Sequence, residues 1–124
     1  MNANEHRQEL NKITDKIIEC AYKISNKLGI GFLEKVYENA LCYELKKSKL
    51  DIKQQYNLKI KYENIIIYEY CTDILVEDKI ILELKVVDKT DNVHAAQCIN
   101  YLKSCLLINF GITRVKVKRI VNDF

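Results

Sequence analysis

Two acidic residues and a lysine stand in apolar surroundings where charge is costly. They are Asp73, in Thr72-Asp73-Ile74-Leu75-Val76, and Glu83 with Lys85, in Ile81-Leu82-Glu83-Leu84-Lys85. In a strand, side chains two apart share a face. Glu83 and Lys85 therefore point one way, and Leu82, Leu84 and Val86 the other. A three-residue turn at Glu77, Asp78 and Lys79 would set Asp73 opposite Glu83; a two-residue turn would set it opposite Leu82, on the wrong face. Buried charges need partners or a metal. Two carboxylates converging with a lysine suit phosphodiester hydrolysis. Oxygen ligands hold Mg²⁺, which polarises the phosphate and acidifies a bound water, and the ammonium offsets charge on the developing pentavalent phosphate. The same charges also suit a plain Asp–Lys–Glu salt bridge of modest worth, and the pattern alone leaves both open.

The chain that must position these residues has 124 residues, 48% of them hydrophobic and 30% charged. These values suit one soluble globular domain over residues 1–124 and argue against disorder. No apolar run approaches the roughly 18 residues of a membrane span. The N-terminus lacks the apolar core of a secretory signal, so residues 1–7 are expected to be poorly ordered and the address cytoplasmic. Twenty basic against 17 acidic residues leave a net charge of +3, too balanced to announce nucleic acid by itself. The cysteines, Cys20, Cys42, Cys71, Cys98 and Cys105, are odd in number and include no CxxC pair. A zinc knuckle or disulfide framework is not expected, and most should be small buried hydrophobes.

Leu10, Ile13, Ile17, Ala21, Ile24 and Leu28 recur at helical spacing and predict a helix over 8–28, ended by Gly29. A second helix is predicted over about 32–47, with Leu33, Val36, Tyr37, Ala40, Leu41 and Leu45 as its stripe. From Leu50 the period changes to two, predicting three or four antiparallel strands with turns at Asn57, Glu63-Asn64 and Glu77-Asp78-Lys79. A third helix is predicted over about 92–104, capped by Asp91. A buried strand over 106–110 and a half-exposed last strand over 114–121 follow. The order α-α-β-β-β-α-β-β predicts an α/β fold around a mixed sheet. Arg114, Lys116 and Lys118 share a face of the last strand. They suit either a phosphate-tracking footprint or lysine protection of a sheet edge.

Asp73 followed by Glu83-Leu84-Lys85 resembles the D…ExK signature of the PD-(D/E)XK nuclease superfamily, whose core order α-β-β-β-α-β matches residues 32–110. Gln97-Cys98-Ile99-Asn100-Tyr101 resembles the QxxxY motif of RecB-type members, and Gly31-Phe32-Leu33-Glu34-Lys35-Val36-Tyr37 resembles the motif of the GxxExxY branch. Leu107-Ile108-Asn109-Phe110-Gly111 is also typical of that branch. The resemblance covers about residues 10–121. It implies a PD-(D/E)XK nuclease-like mixed sheet flanked by helices on each side. It also implies Asp73, Glu83 and the Leu84 carbonyl as ligands of Mg²⁺ or Mn²⁺. Glu34 would reach the metal from its helix, Lys85 would act on water or phosphate, and Gln97 and Tyr101 would support them. His94, Gln97 and Tyr101 fall on one helical face. Glu34 also suits a helix N-terminus without any catalytic role, and Tyr37 reads as core. Cys71 stands two residues before Asp73, where that branch often has Arg.

The expected activity is that of a metal-dependent nuclease. The alternative is a catalytically silent nuclease-fold binding or scaffolding module. Retention of Asp73, Glu83 and Lys85 favours the enzyme. The partner expected is nucleic acid, DNA ahead of RNA, with no membrane, and with a homodimer or protein partner left open.

Overall fold

A computed structural model of the chain describes residues 2–87, 104–111 and 114–121. Its elements are α1 (Ala3–Leu28), α2 (Glu34–Lys47), β1 (Ile52–Tyr62), β2 (Ile65–Val76), β3 (Ile80–Lys85), β4 (Ser104–Asn109) and β5 (Lys116–Val121). The five strands form one sheet in the order β1-β2-β3-β4-β5. All neighbours are antiparallel except β3 and β4, which are parallel, so the sheet is mixed as expected. The stretch between β3 and β4, with the predicted third helix, lies outside the described residues.

The first helix, predicted over 8–28, begins at Ala3. Asn2 forms a capping box with Glu5: the Glu5 amide donates to Asn2 Oδ1 (2.9 Å) and the Asn2 amide to the Glu5 carboxylate. This satisfies free N–H groups that would otherwise fray the helix. Gly29 closes α1 at φ 72°, its N–H on the Ser25 carbonyl, a backbone region that glycine enters without steric cost. The second helix begins at Glu34 rather than at Phe32, with no side-chain cap on its first turn.

Both helices cover one face of the sheet. Ile13, Ile17, Ala21 and Ile24 of α1 and Tyr37, Leu41 and Leu45 of α2 pack on Ile74, Val76, Ile80, Leu82, Leu84, Leu106 and Ile108. Leu33 and Val36, assigned to the stripe of the second helix, are exposed. Tyr37 is core, as its spacing indicated: it is fully buried, stacks on Phe110 at 4.7 Å, and donates its hydroxyl to the Gly29 carbonyl at 2.6 Å. The opposite face carries a smaller apolar cluster of Leu75, Ile81, Cys105, Leu107 and Ile120.

The β1–β2 hairpin turns at Glu63-Asn64, both at positive φ (50° and 66°), the primed-turn geometry that matches strand twist. Asn57, expected in a turn, is instead paired within β1, opposite Cys71. Ser104, expected to end a helix, is the first residue of β4, and Arg114 precedes β5 rather than opening it. Cys20, Cys42 and Cys105 are buried, and Cys71 is exposed. No described helix is long and apolar enough to cross a membrane.

Candidate active site

The β2–β3 turn spans residues 77–79, so Val76 pairs with Ile80, Leu75 with Ile81 and Ile74 with Leu82. This is the odd-length turn that puts Asp73 and Glu83 next in register. There the ladder stops. The Leu84 N–H, which a continuing strand would offer to a backbone carbonyl, instead donates to Asp73 Oδ2 at 2.8 Å. The carboxylate thus seats in the opening where β2 and β3 part.

Glu83 and Lys85 share the face of Ile81, alternating with Leu82 and Leu84, and so point away from the two helices. Glu83 is only 8% exposed. Tyr70 donates its hydroxyl to Glu83 Oε1 at 2.6 Å, and the buried Thr72 hydroxyl bonds to the same carboxyl. Burial raises Glu83, against the Tyr70 bond; the Asp73 charge adds to the rise, and its carboxyl stands at about 7. Burial likewise raises Asp73, partly offset by the Leu84 N–H and by Lys85. Glu34 is raised by burial and by the charge of Asp73, while Lys85 acts in the opposite sense. Glu34, Asp73 and Glu83 therefore lie within electrostatic reach of Lys85, and Asp73 within reach of both glutamates.

Several residues at the site lack a sequence signal of the kind that marked Asp73. Glu38, one turn beyond Glu34, is 2% exposed. Burial alone would raise its carboxyl, but donors from Gln54, Lys35 and Gln55 outweigh that and hold it below the usual carboxylate range. Its charge in turn raises Asp73. Gln55 also donates to Asp73 and accepts from the Cys71 thiol at 3.2 Å. It has φ 53° in mid-strand and interrupts the β1–β2 ladder opposite Asp73, between the pairs Gln54–Ile74 and Tyr56–Thr72. This irregularity brings Gln54 and Gln55 to the same carboxylate, although neighbours in a regular strand point apart.

Lys116 and Lys118 are exposed. Lys118 pairs with Leu107, which pairs with Glu83, and Lys116 pairs with Asn109, which pairs with Lys85. Directly paired residues share a face, so both lysines lie on the Glu83 face, two strands away, or roughly 10 Å. Arg114 is exposed just outside the strand. Gln97 and Tyr101, with His94, lie outside the described residues. Among the described residues no three His, Cys, Asp or Glu side chains close around one point as a metal cage. Mg²⁺ needs none, since one or two carboxylates with waters and substrate phosphate suffice.

A mixed sheet with paired helices on one face, opening between two strands at an acid and an ExK segment, defines an α/β fold of nuclease type. The family model of the PD-(D/E)XK nuclease superfamily matches residues 11–120, and the chain belongs to that superfamily. No significant match was found among curated proteins or among solved structures.

Proposed function

We propose that the chain is a metal-dependent nuclease that hydrolyses phosphodiester bonds, and that it belongs to the GxxExxY branch of its superfamily. The observation that carries this is the seating of Asp73 on the Leu84 N–H where β2 and β3 part, beside Glu83 and Lys85. The donor set fits a hard divalent cation. Its ligands are oxygens, and three carboxyls raised by burial and by neighbouring charge gain from a cation among them. Asp73, Glu83 and the Leu84 carbonyl would hold Mg²⁺ or Mn²⁺, with Glu34 approaching from the start of α2. When bound, the ion supplies Lewis-acid activation of phosphate and water.

Lys85 orients the attacking water and offsets charge developing on the phosphate. Tyr70 and Thr72 hold Glu83 in place. Gln97 and Tyr101 support the ligands and the phosphate from the segment before β4. Arg114, Lys116 and Lys118 carry the nucleic-acid backbone, DNA ahead of RNA, across the same face. The setting is cytoplasmic.

The deciding experiment is calorimetry of Mg²⁺ and Mn²⁺ binding beside cleavage of a panel of single- and double-stranded DNA and RNA. Wild type should bind and cleave; Asp73→Asn should do neither while remaining folded. A second reading, a silent nuclease-fold binding module, is favoured by Cys71, which stands two residues before Asp73 where the GxxExxY branch often has Arg. It predicts nucleic-acid binding unaffected by divalent ions and no cleavage by any variant.

A further inference from the structure

We propose that the outer half of the β1–β2 hairpin is a self-association surface, on which residues 65–69 of β2 pair edge to edge with the same segment of a second copy. β3 accompanies β2 only through Ile74, Leu75 and Val76. Beyond that point β2 continues to Ile65 with β1 as its single strand neighbour among the described residues. Its other edge therefore presents a row of main-chain donors and acceptors, a template for a further strand.

The sheet's edges differ in how they are guarded. β1, at one end of the sheet, carries Lys53, Lys59 and Lys61, all exposed. β5, at the other end, carries Lys116, Lys118 and Arg119, all exposed. Charged side chains, lysine above all, are the usual defence of an edge strand. The β2 edge has none: there is no Lys or Arg between Tyr62 and Asp78. Its side chains are Ile65, Ile66, Ile67 and Tyr68, exposed at 66%, 46%, 60% and 61%. Lys61 of β1 pairs with Ile66, and the register shifts at Ile67, so these apolar side chains share the hairpin with one cation beside them.

A second copy suits this surface better than a phosphate backbone or an anionic bilayer. The local charges, Glu63 and Glu69 against Lys59 and Lys61 of β1, cancel, so nothing there draws an anionic partner. Lys59 pairs with Glu69 across the hairpin, so that carboxylate has a cation beside it in each copy. An antiparallel pairing of identical strands is two-fold symmetric, and one segment supplies both sides of the seam. The proposal stands whether or not the chain cleaves nucleic acid.

Sedimentation velocity over a concentration series tests it, with amide hydrogen exchange on the same samples. Wild type should dimerise, with the amides of residues 65–69 protected in the dimer. Ile67→Lys and, separately, Ile65→Lys should each weaken the dimer by about 30-fold or more, because each sets two lysines in one apolar seam. Both positions are exposed, so circular dichroism should show an unchanged fold. Tyr43→Ser, at an exposed aromatic on α2, should leave the dimer intact. A monomer at every concentration would overturn the proposal. So would a dimer insensitive to both lysines, or one whose 65–69 amides exchange freely. Loss of nucleic-acid binding in Ile67→Lys with no change in association would assign the ribbon to nucleic acid instead.

Discussion

Burial beside Asp73 leaves the Glu83 carboxyl at about 7, against an ordinary value of 4.5. Between those values the folded chain holds a proton that the unfolded chain has released. Stability without metal is therefore fully supported by this group below pH 4.5 and falls as pH rises towards 7. The loss is on the order of 3 kcal/mol. Asp73 and Glu34, also raised, add to it in the same sense. Glu38 is lowered, so its contribution is present above its ordinary value and is lost only in stronger acid. Urea denaturation at pH 5 and pH 7.5 should show the fall, and Glu83→Gln should flatten it. Mg²⁺, which takes the ionised form, should restore stability at the higher pH. Lys85→Ala separates the ammonium from the ligands. Cleavage should drop by about 100-fold or more, while calorimetry shows divalent binding close to wild type. Parallel loss of both would contradict the role assigned to the lysine.

At the scale of elements, the site depends on how β3 is held as it leaves the sheet. Asn109, buried at the end of β4, accepts from the Val87 and Gly111 amides and donates to the Val87 carbonyl. The Phe110 amide donates to the Lys85 carbonyl at 2.9 Å. A β-carbon on Gly111 would stand 2.3 Å from the Val87 nitrogen, against backbone that has no room to move. Gly111→Ala should cost about 1–3 kcal/mol by overpacking, and Asn109→Ala a similar amount through unsatisfied amides. Thermal melts measure both. Gln55 plays the matching part on the other side of Asp73. A β-branched side chain resists positive φ, so Gln55→Val should destabilise the hairpin by roughly 1–3 kcal/mol. It should also shift the Tyr70 hydroxyl signal in NMR spectra as its bond to Glu83 loosens. An unchanged signal would show that the kink is set elsewhere.

For the molecule as a whole, Lys116 and Lys118 lie on the Glu83 face, where a phosphate footprint would meet the proposed site. Arg114→Ser, Lys116→Ser and Lys118→Ser together should reduce the slope of log affinity against log salt by roughly 2 to 3, each phosphate contact contributing somewhat under one. The reduction should be the same for all sequences, since phosphate contacts carry no base information. Fluorescence anisotropy across a salt series measures it, and light scattering on the same samples reports any edge-to-edge aggregation. A flat slope difference with increased scattering would assign these cations to edge protection alone.

The mixed α/β architecture and the Asp73–Glu83 register were legible in the sequence because both rest on local periodicity: a change from a 3.6 to a 2.0 repeat, and a turn of odd length. Tyr37 was legible as core for the same reason. Tyr70 and Thr72 were not. Strict alternation puts both Tyr70 and Thr72 on the face opposite Asp73, yet Tyr70 bonds to Glu83. Glu38 was hidden differently. One turn beyond Glu34 it looks like a solvated helix position, and its burial comes from Gln54 and Gln55, which reach it from a strand more than a dozen residues away. The start of α1 turned on a reciprocal cap at Asn2 and Glu5 in a segment without apolar period. Repeating side-chain pattern thus determined which elements form and how neighbouring strands meet. Tertiary structure alone decided which polar groups enter the site, because that depends on where two strands part and on side chains that arrive from distant elements, neither of which has a period.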